Sequence, residues 1–211
     1  MQKTLLIIGA GGHARVIADS ATESGEWDLI NLYDDAWPEL KTSGTWSITG
    51  TIHNLLEQKP ENTSQVIIAI GSNQRRYTLQ ERFSEAGWKI TKVIHPSATI
   101  SQHTHIGVGT VVMAGVVINS GTNIGNACII NTCTSVDHDC LLGNAVHLSP
   151  GTTLAGTVTV GDGCWIGVGS SVINNIHIGK NTVIGAGATV IRNIPKNVLA
   201  VGTPTQIIKN L

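Results

Sequence analysis

The segment Val160-Gly-Asp-Gly-Cys-Trp-Ile-Gly-Val-Gly-Ser-Ser-Val172 has an aliphatic residue at every sixth position, namely Val160, Ile166 and Val172, and this spacing is the main evidence for the fold. A fixed internal period is the sequence signature of a repeat architecture. We predict a coil of short strands in which each hexapeptide forms one face and one corner, with its aliphatic side chain inward. The spacing continues on both sides without a skip, through Ile100, Ile106, Val112, Ile118, Ile124, Ile130, Val136, Leu142, Leu148, Leu154, Ile178, Ile184 and Val190.

A second register supports the first. Two residues before each aliphatic position the side chain is small or β-branched, as at Thr110. Cys128, Cys140 and Cys164 belong to this register, which predicts buried core thiols. Cys133 lies outside it, and the four cysteines lack zinc-type spacing. Glycine often follows the aliphatic residue, and we interpret these glycines as corner residues that take positive φ values: Gly107, Gly125, Gly143, Gly161, Gly167, Gly179 and Gly185.

The composition excludes several classes of protein. Of the 211 residues, 41% are hydrophobic and 13% charged, which favours a packed globular chain over a disordered one. The net charge is −1 with no basic block, so we expect neither nucleic acid nor an anionic membrane as a partner. The apolar run at the N-terminus ends in glycines and does not resemble a signal peptide, so we expect a cytoplasmic protein.

The first part of the chain alternates predicted strands with helical stretches. We predict strands over residues 3–9, 28–33, 65–70 and 88–94, with a helix after the first strand that ends at about Glu23. This alternation is typical of a small parallel α/β sheet. We therefore expect two domains, an α/β domain over residues 1–95 and a β-helix domain over residues 96–211.

A glycine turn follows the first predicted strand, and Asp34 and Asp35 follow the second. This arrangement is similar to a dinucleotide-binding fingerprint, and the turn places backbone N–H groups where they suit a phosphate. Three interpretations stay open: NAD, another phosphorylated nucleotide, or structural glycines without a ligand. His13 directly follows the glycines, so it lies either at the mouth of such a site or exposed at the start of the helix.

His138 is the strongest candidate for acid–base chemistry. It lies two residues after the inward position Val136, near a corner, and it has an acid on each side. Acyl transfer from a thioester needs a base, and a carboxylate can orient a histidine for that task. Asp139 is the preferred orienting group, and Asp137 is the alternative. His147 comes half a coil later and either contacts an acyl donor or is exposed. We expect no metal, because no cluster has ligand spacing.

The chain resembles the hexapeptide-repeat sugar O- and N-acetyltransferases of the sialic-acid O-acetyltransferase-like group. It is most similar to enzymes that act on nucleotide-linked 4-amino sugars, such as those of bacillosamine biosynthesis. The resemblance covers essentially the whole chain. The motifs that carry it are GAGGHA (9–14), YDD (33–35), AIGSNQRR (69–76), IHPSA (94–98), Asn131-Thr132, VDHDC (136–140), NIP (193–195) and AVGTP (200–204).

This resemblance implies a Rossmann-like nucleotide-sugar-binding domain followed by a left-handed parallel β-helix. It implies a homotrimer that binds acetyl-CoA between subunits, with His138 as general base and Asp139 as its support, where the family commonly has Glu. It implies acetyl-CoA contacts at His147, Gly156, Ala186 and Pro204, with the Gly156 N–H beside the thioester. The implied nucleotide-sugar contacts are Gly11, Gly12, His13, Asp34, Asp35, Ser72, Asn73, Arg76 and Asn131.

The sequence thus predicts direct acetyl transfer from acetyl-CoA to the 4-amino group of a UDP- or dTDP-linked amino-deoxy sugar, for a bacterial surface glycan or glycoprotein. An enzyme alternative is O-acetylation of a sialic-acid-type sugar, which would leave the nucleotide site without a clear use. A non-enzyme alternative is a β-helix scaffold or sensor, which would not need His138 beside an acid.

Overall fold

The computed structural model describes residues 2–211, and the chain forms two compact units, 1–96 and 97–211. The first unit contains strands β1 (Thr4–Ile8), β2 (Leu29–Tyr33), β3 (Thr42–Ser43), β4 (Trp46–Gly50), β5 (Ser64–Ile68) and β6 (Val93–Ile94), and helices α1 (Gly12–Ser24), α2 (Ile52–Leu56) and α3 (Asn73–Glu85).

The sheet of the first unit has the order β3-β4-β2-β1-β5. Strands β2, β1 and β5 pair in parallel, which confirms the predicted Rossmann-like α/β sheet. The hairpin of β3 and β4, which the sequence did not predict, adds to the edge of β2. Ile8, Val66 and Phe83 belong to a fully buried cluster of the core.

The fourth predicted strand, over residues 88–94, is wrong for most of its length. Only β6 is a strand there, with a single bridge between Ile90 and Val66. Trp88 is instead 5% exposed and packs edge-to-face against Phe83, with ring centroids 6.3 Å apart. Burial of this large side chain in the core takes precedence over strand pairing at this position.

The second unit is a parallel coil of sixteen two-residue strands, which confirms the predicted repeat. These strands, β7 to β22, are Thr99–Ile100, His105–Ile106, Val111–Val112, Val117–Ile118, Asn123–Ile124, Ile129–Ile130, Ser135–Val136, Leu141–Leu142, His147–Leu148, Thr153–Leu154, Thr159–Val160, Trp165–Ile166, Ser171–Val172, His177–Ile178, Val183–Ile184 and Thr189–Val190. Strands β23 (Val198–Val201) and β24 (Gln206–Asn210) follow as an antiparallel pair.

Three faces wind around one apolar core. Each strand pairs in parallel with the strand one coil, or 18 residues, later, as Val136 does with Leu154. The three resulting faces are β7-β10-β13-β16-β19-β22, β8-β11-β14-β17-β20 and β9-β12-β15-β18-β21, the last of which continues into β23 and β24. Every repeat aliphatic from Ile106 to Val190 is buried, as predicted.

The small side chains two residues before each aliphatic position are buried too, and their hydrogen bonds join neighbouring coils. The Thr110 hydroxyl donates to the carbonyl of Gly125 at 2.8 Å, and the Cys164 thiol donates to that of Gly179 at 3.1 Å. Cys128 and Cys140 make the same contact, so the predicted core thiols are confirmed. Burial raises the pKa of Cys164 to about 11, which keeps it a thiol.

The interpretation of the corner glycines is wrong. None of the glycines directly after the aliphatic residues has a positive φ; that conformation falls two residues later, for example at Gly109 and Gly163. Glycine is needed at the earlier position because successive coils approach closely there. A Cβ atom at Gly125 would lie 2.6 Å from the Gly143 carbonyl oxygen. None of the helices within residues 2–211 is long and apolar enough to cross a membrane.

Candidate active site

His138 lies in the corner between β13 and β14 and is held by both neighbouring acids. Its Nδ1 is 2.8 Å from Asp139 Oδ2, while its backbone N–H donates to Asp137 Oδ1 at 2.8 Å. Asp137 also accepts from Asn119 Nδ2 at 2.8 Å. Asp139 has φ 57°, a left-handed value that recurs at every sixth residue from Gly109 to Gly187 and that Asp tolerates better than most residues. Asp139 therefore orients the imidazole ring, and Asp137 fixes the backbone.

This arrangement leaves one ring nitrogen of His138 available. A carboxylate accepts only, so Nδ1 carries the proton that it donates to Asp139, and neutral His138 presents Nε2 as an acceptor. The hydrogen bond that Nδ1 donates to Asp139 raises the pKa of His138 above its ordinary value. The side chain is 58% exposed, so Nε2 can meet a substrate.

The imidazole of His138 lies directly over Gly156, one coil further along. A Cβ atom at Gly156 would lie 2.5 Å from Nε2 and 2.6 Å from Cε1 of His138, so only glycine leaves the ring in place. The N–H of Gly156 makes no hydrogen bond to any residue from 2 to 211, which leaves a backbone donor beside the histidine.

His147 forms a second cluster on the face that contains β15. It is 9% exposed, so the alternative of an exposed His147 is wrong. Trp165 stacks on it with ring centroids 5.0 Å apart and an interplanar angle of 19°. Asn131 Nδ2 lies 3.5 Å from His147 Nε2, while its Oδ1 accepts from the Thr132 N–H at 2.9 Å. With this amide orientation His147 accepts at Nε2, so its proton is on Nδ1.

The two histidines occupy different sides of the coil. His138 is in the corner between the β13 face and the β14 face, whereas His147 is in β15 on the third face. Ala186 and Pro204, the other predicted acetyl-CoA contacts, are both exposed. Sequence reasoning missed Trp165, although its place one coil after His147 follows from the 18-residue register.

The first unit has a cavity of about 400 Å³ at the carboxyl ends of β1 and β5. Its lining includes Gly9, Gly11, Asp34 and Asp35. Helix α1 begins there with Gly11 as N-cap and no side-chain cap, so its first N–H groups point to the opening without a side-chain acceptor. Gly12 is exposed in the first turn of α1. A helix N-terminus of this kind favours an anion.

Asp34 and Asp35 have different surroundings. Asp34 uses both carboxylate oxygens on the backbone, accepting from Ala10 N–H at 2.8 Å and from Ala36 N–H at 3.0 Å. The buried Ser43 hydroxyl donates to the Ala10 carbonyl at 2.6 Å, so both polar groups of Ala10 are held. Asp35 accepts from the Ile52 N–H at 3.1 Å through one oxygen. Asp34 and Ser43 thus fix the glycine turn, while Asp35, which lines the cavity, has its second carboxylate oxygen 3.8 Å from Nη2 of Arg75.

Arg76 and His13 pack together under the glycine turn. Arg76 is 1% exposed and donates to the carbonyls of Ile70 and Gly71 and to Asn73 Oδ1. His13 is half-buried, and its buried Nε2 has no hydrogen-bond partner among residues 2–211. Burial, together with the charge of Arg76, lowers the pKa of His13 to about 4. The exposed interpretation of His13 is therefore wrong, and its ring is neutral at physiological pH.

A neighbouring cavity of about 410 Å³ lies between α2 and α3. It shares Asp35 and Arg75 with the first cavity and adds His53 and Arg82. The sequence analysis named Asp35 as a nucleotide-sugar contact and missed the other three residues. Ser72 also lines it, and its hydroxyl caps α3 by accepting from the Arg75 N–H at 3.4 Å. No local motif in the sequence indicates this space, because it depends on the packing of two helices.

Known families and structures match both units. The family model described as the PglD N-terminal domain matches residues 4–83, and the model of the bacterial transferase hexapeptide (six repeats) matches residues 157–192. The acetyltransferase domain of PglB from Neisseria gonorrhoeae FA1090, solved with acetyl coenzyme A, is 34% identical, with 99% of this chain and 100% of that chain covered and a TM-score of 0.94. The chain belongs to the hexapeptide-repeat sugar acetyltransferases.

Two further members of this acetyltransferase family are similar to the chain. PerB from Caulobacter crescentus, solved with CoA and GDP-perosamine, is 39% identical over 98% of this chain and 97% of that chain, with a TM-score of 0.90. The UDP-N-acetylbacillosamine N-acetyltransferase of Bacillus subtilis (strain 168) is 38% identical over 113 residues, or 53% of this chain. That match spans about half of the curated relative, 52% of its length.

Proposed function

We propose that this protein transfers the acetyl group of acetyl-CoA to the 4-amino group of a nucleotide-linked amino-deoxy sugar, for a bacterial surface glycan or glycoprotein. The observation that carries the proposal is the geometry of His138: Asp139 holds Nδ1 at 2.8 Å, and Nε2 lies over Gly156 in a side chain that is 58% exposed. A base placed in this way accepts the proton of an amine as the amine attacks a thioester carbon.

Each group near His138 has a defined task in this reaction. Neutral His138 takes the proton at Nε2, and Asp139 stabilises the imidazolium that forms. The open N–H of Gly156 donates to the carbonyl oxygen as negative charge develops on it. Both substrates can meet directly, so transfer needs no acyl-enzyme.

The cavity at the glycine turn supports a nucleotide-linked acceptor. Backbone N–H groups at the start of α1 suit a pyrophosphate, and Asp35 lines the same cavity beside Arg75. One relative named above acts on a UDP-linked sugar and another binds a GDP-linked sugar. GDP therefore joins UDP and dTDP as a candidate nucleotide of the acceptor sugar. A sialic-acid-type acceptor without a nucleotide would leave this cavity unused.

A thiol-release assay tests the proposal. Acetyl-CoA is combined in turn with UDP-, dTDP- and GDP-linked 4-amino sugars and with free sialic acid. We expect turnover with an amino sugar, and a loss of about 10²- to 10⁴-fold in His138→Ala. His177→Ala removes an exposed histidine elsewhere on the coil and serves as the matched control. Full activity in His138→Ala would refute the role of this histidine, and turnover only with sialic acid would refute the acceptor.

We further propose a homotrimer in the cytoplasm. His138 and the cluster of His147 and Asn131 are on different sides of one coil, so one active site combines them most simply across two copies. Acetyl-CoA and nucleotide sugars are both cytoplasmic metabolites, which supports the location. Light scattering should give the mass of three chains and cell fractionation should recover the protein with the cytosol. A monomer or a membrane fraction would contradict these two points.

A further inference from the structure

Thr157 has a backbone conformation that its own side chain disfavours. The residue three places after each repeat aliphatic has a positive φ at every repeat from Gly109 to Gly187, and Gly, Asn, Asp, Ala or Cys occupies all of these positions except 157. Thr157, with φ 62°, is the only β-branched residue with a positive φ among residues 2–211. A left-handed backbone brings Cβ too close to the following carbonyl oxygen, and a branched Cβ adds to the crowding. The backbone at Thr157 is therefore strained.

No contact within residues 2–211 accounts for this strain. Thr157 is exposed, so its side chain fills no part of the core. Its hydroxyl makes no hydrogen bond to any described residue, whereas its backbone N–H donates to the carbonyl of His138 at 2.9 Å. Gly163 makes the equivalent backbone contact, to the Asn144 carbonyl at 2.8 Å, with no side chain at all. A strained residue that the fold does not need indicates a functional site.

Thr157 lies beside the catalytic histidine. It directly follows Gly156, and a Cβ atom at Gly156 would lie 2.5 Å from Nε2 of His138. Consecutive Cα atoms are about 3.8 Å apart, so the Cα atom of Thr157 lies within about 8 Å of Nε2. Asp139, which orients the imidazole, occupies the position equivalent to Thr157 one coil earlier. The Thr157 hydroxyl and Nε2 can therefore contact the same small group of a substrate.

We propose that Thr157 is a further catalytic residue, whose hydroxyl oxygen accepts a hydrogen bond from the attacking amine of the acceptor sugar. This inference rests on the proposed function, which brings that amine to His138. A neutral primary amine has two hydrogens and one lone pair. His138 takes one proton, and with Thr157 Oγ1 holding the second hydrogen, the lone pair is directed toward the thioester carbon. A hydroxyl oxygen has two lone pairs, so Thr157 accepts this bond and keeps its own proton.

The same contact favours an amine over a hydroxyl group as acceptor. A sugar hydroxyl has a single hydrogen, which His138 takes, and it has no second hydrogen for Thr157. A site built to bind a polar hydrogen of its substrate discriminates against an analogue that lacks this hydrogen. Thr157 thus supports transfer to nitrogen, and this role gives a reason for a strained threonine where glycine would fold more easily.

Three variants of Thr157 separate its hydroxyl from its strain. Thr157→Val keeps the branched shape without the hydroxyl, so kcat for the amino sugar should fall about tenfold, the effect of one lost hydrogen bond, with Tm and the KM for acetyl-CoA close to the wild type. Thr157→Ser keeps the hydroxyl and should retain kcat within about twofold. Thr157→Gly removes both, so kcat should fall about tenfold while Tm rises by about 2–4 °C.

Thr159→Val is the matched control, because it removes the hydroxyl of a half-buried threonine two residues later, in β17, without a positive φ. Its kcat should equal that of the wild type. An unchanged kcat in Thr157→Val would overturn the inference, and so would an equal loss in Thr157→Ser or Thr159→Val. An unchanged or lower Tm in Thr157→Gly would contradict the strain on which the inference depends. If the wild type acetylates no amino sugar, the proposed function fails and the amine contact with it, whereas equal turnover by wild type and Thr157→Val refutes the contact alone.

Discussion

Replacement of Gly156 by Ala should displace the catalytic base without unfolding the coil. The new Cβ atom would lie 2.5 Å from Nε2 and 2.6 Å from Cε1 of His138, where ordinary contact begins at 3.4 Å. The ring must therefore move by roughly 1 Å. The backbone accepts alanine, because Gly156 has no left-handed φ, and it keeps its N–H. The histidine is 58% exposed, so its ring can turn toward solvent at little cost.

We expect Gly156→Ala to lose about 100-fold in kcat, since a displacement of this size by itself costs that much. The thiol-release assay gives kcat, and thermal unfolding should give a Tm close to that of the wild type. A crystal structure or the NMR shifts of the His138 ring would detect the loss of the 2.8 Å contact with Asp139.

Gly143→Ala provides the contrast. Its Cβ atom would lie 2.7 Å from the backbone nitrogen of Asp162, and a backbone atom inside the coil cannot turn away. This variant should lose about 1–3 kcal/mol of stability through overpacking. Wild-type turnover in a folded Gly156→Ala protein would refute both the position and the role assigned to His138.

Two other variants test the supporting residues. Asp139→Asn should lower the pKa of His138, because the hydrogen bond that Nδ1 donates to the carboxylate raises it. In the profile of kcat/KM against pH, His138 becomes protonated and inactive along the acidic limb, so this limb should move to lower pH. An unchanged limb would contradict this. Ser43→Ala removes the 2.6 Å bond to Ala10 and should raise the KM for the nucleotide sugar about five- to tenfold, with the acetyl-CoA KM unchanged. Ser47→Ala, in the same hairpin but exposed, should have no effect.

The repeat was predictable because its inward positions obey one rule throughout. A side chain that stacks on its equivalents above and below must be aliphatic, so Ile106 and Val190 have the same environment fourteen coil faces apart, and a spacing of six is enough to find both. The same regularity predicted the buried thiols. The repeat did not distinguish the two glycine positions, because close approach of the coils and a positive φ both favour glycine. The structure shows that Gly107 is needed for close approach and that Gly109 has the positive φ.

The glycine turn was predicted, and the side chains that hold it were not. Ser43 is in a two-residue strand, 33 residues from the Ala10 carbonyl that accepts its hydrogen bond. Neither periodicity nor a local motif predicts a contact of that separation. Asp34 was identified by its place after β2, but its hydrogen bonds to Ala10 and Ala36 depend on the path of the backbone. Contacts of this kind depend on tertiary packing, and no local pattern in a single sequence reveals them.

A hexapeptide coil separates the positions that fold the protein from those that react. The inward residue of each repeat is fixed by packing, whereas the corner residue two places later is free to vary, as His138, Gly156, Asn174 and Arg192 do. Strand pairing nevertheless keeps successive corners about 4.8 Å apart. Residues at equivalent corners of successive coils therefore keep fixed distances from one another, so a group at one corner stays at a set distance from a group several coils away. A flexible loop would have to establish that distance at each binding event, at the cost of conformational entropy.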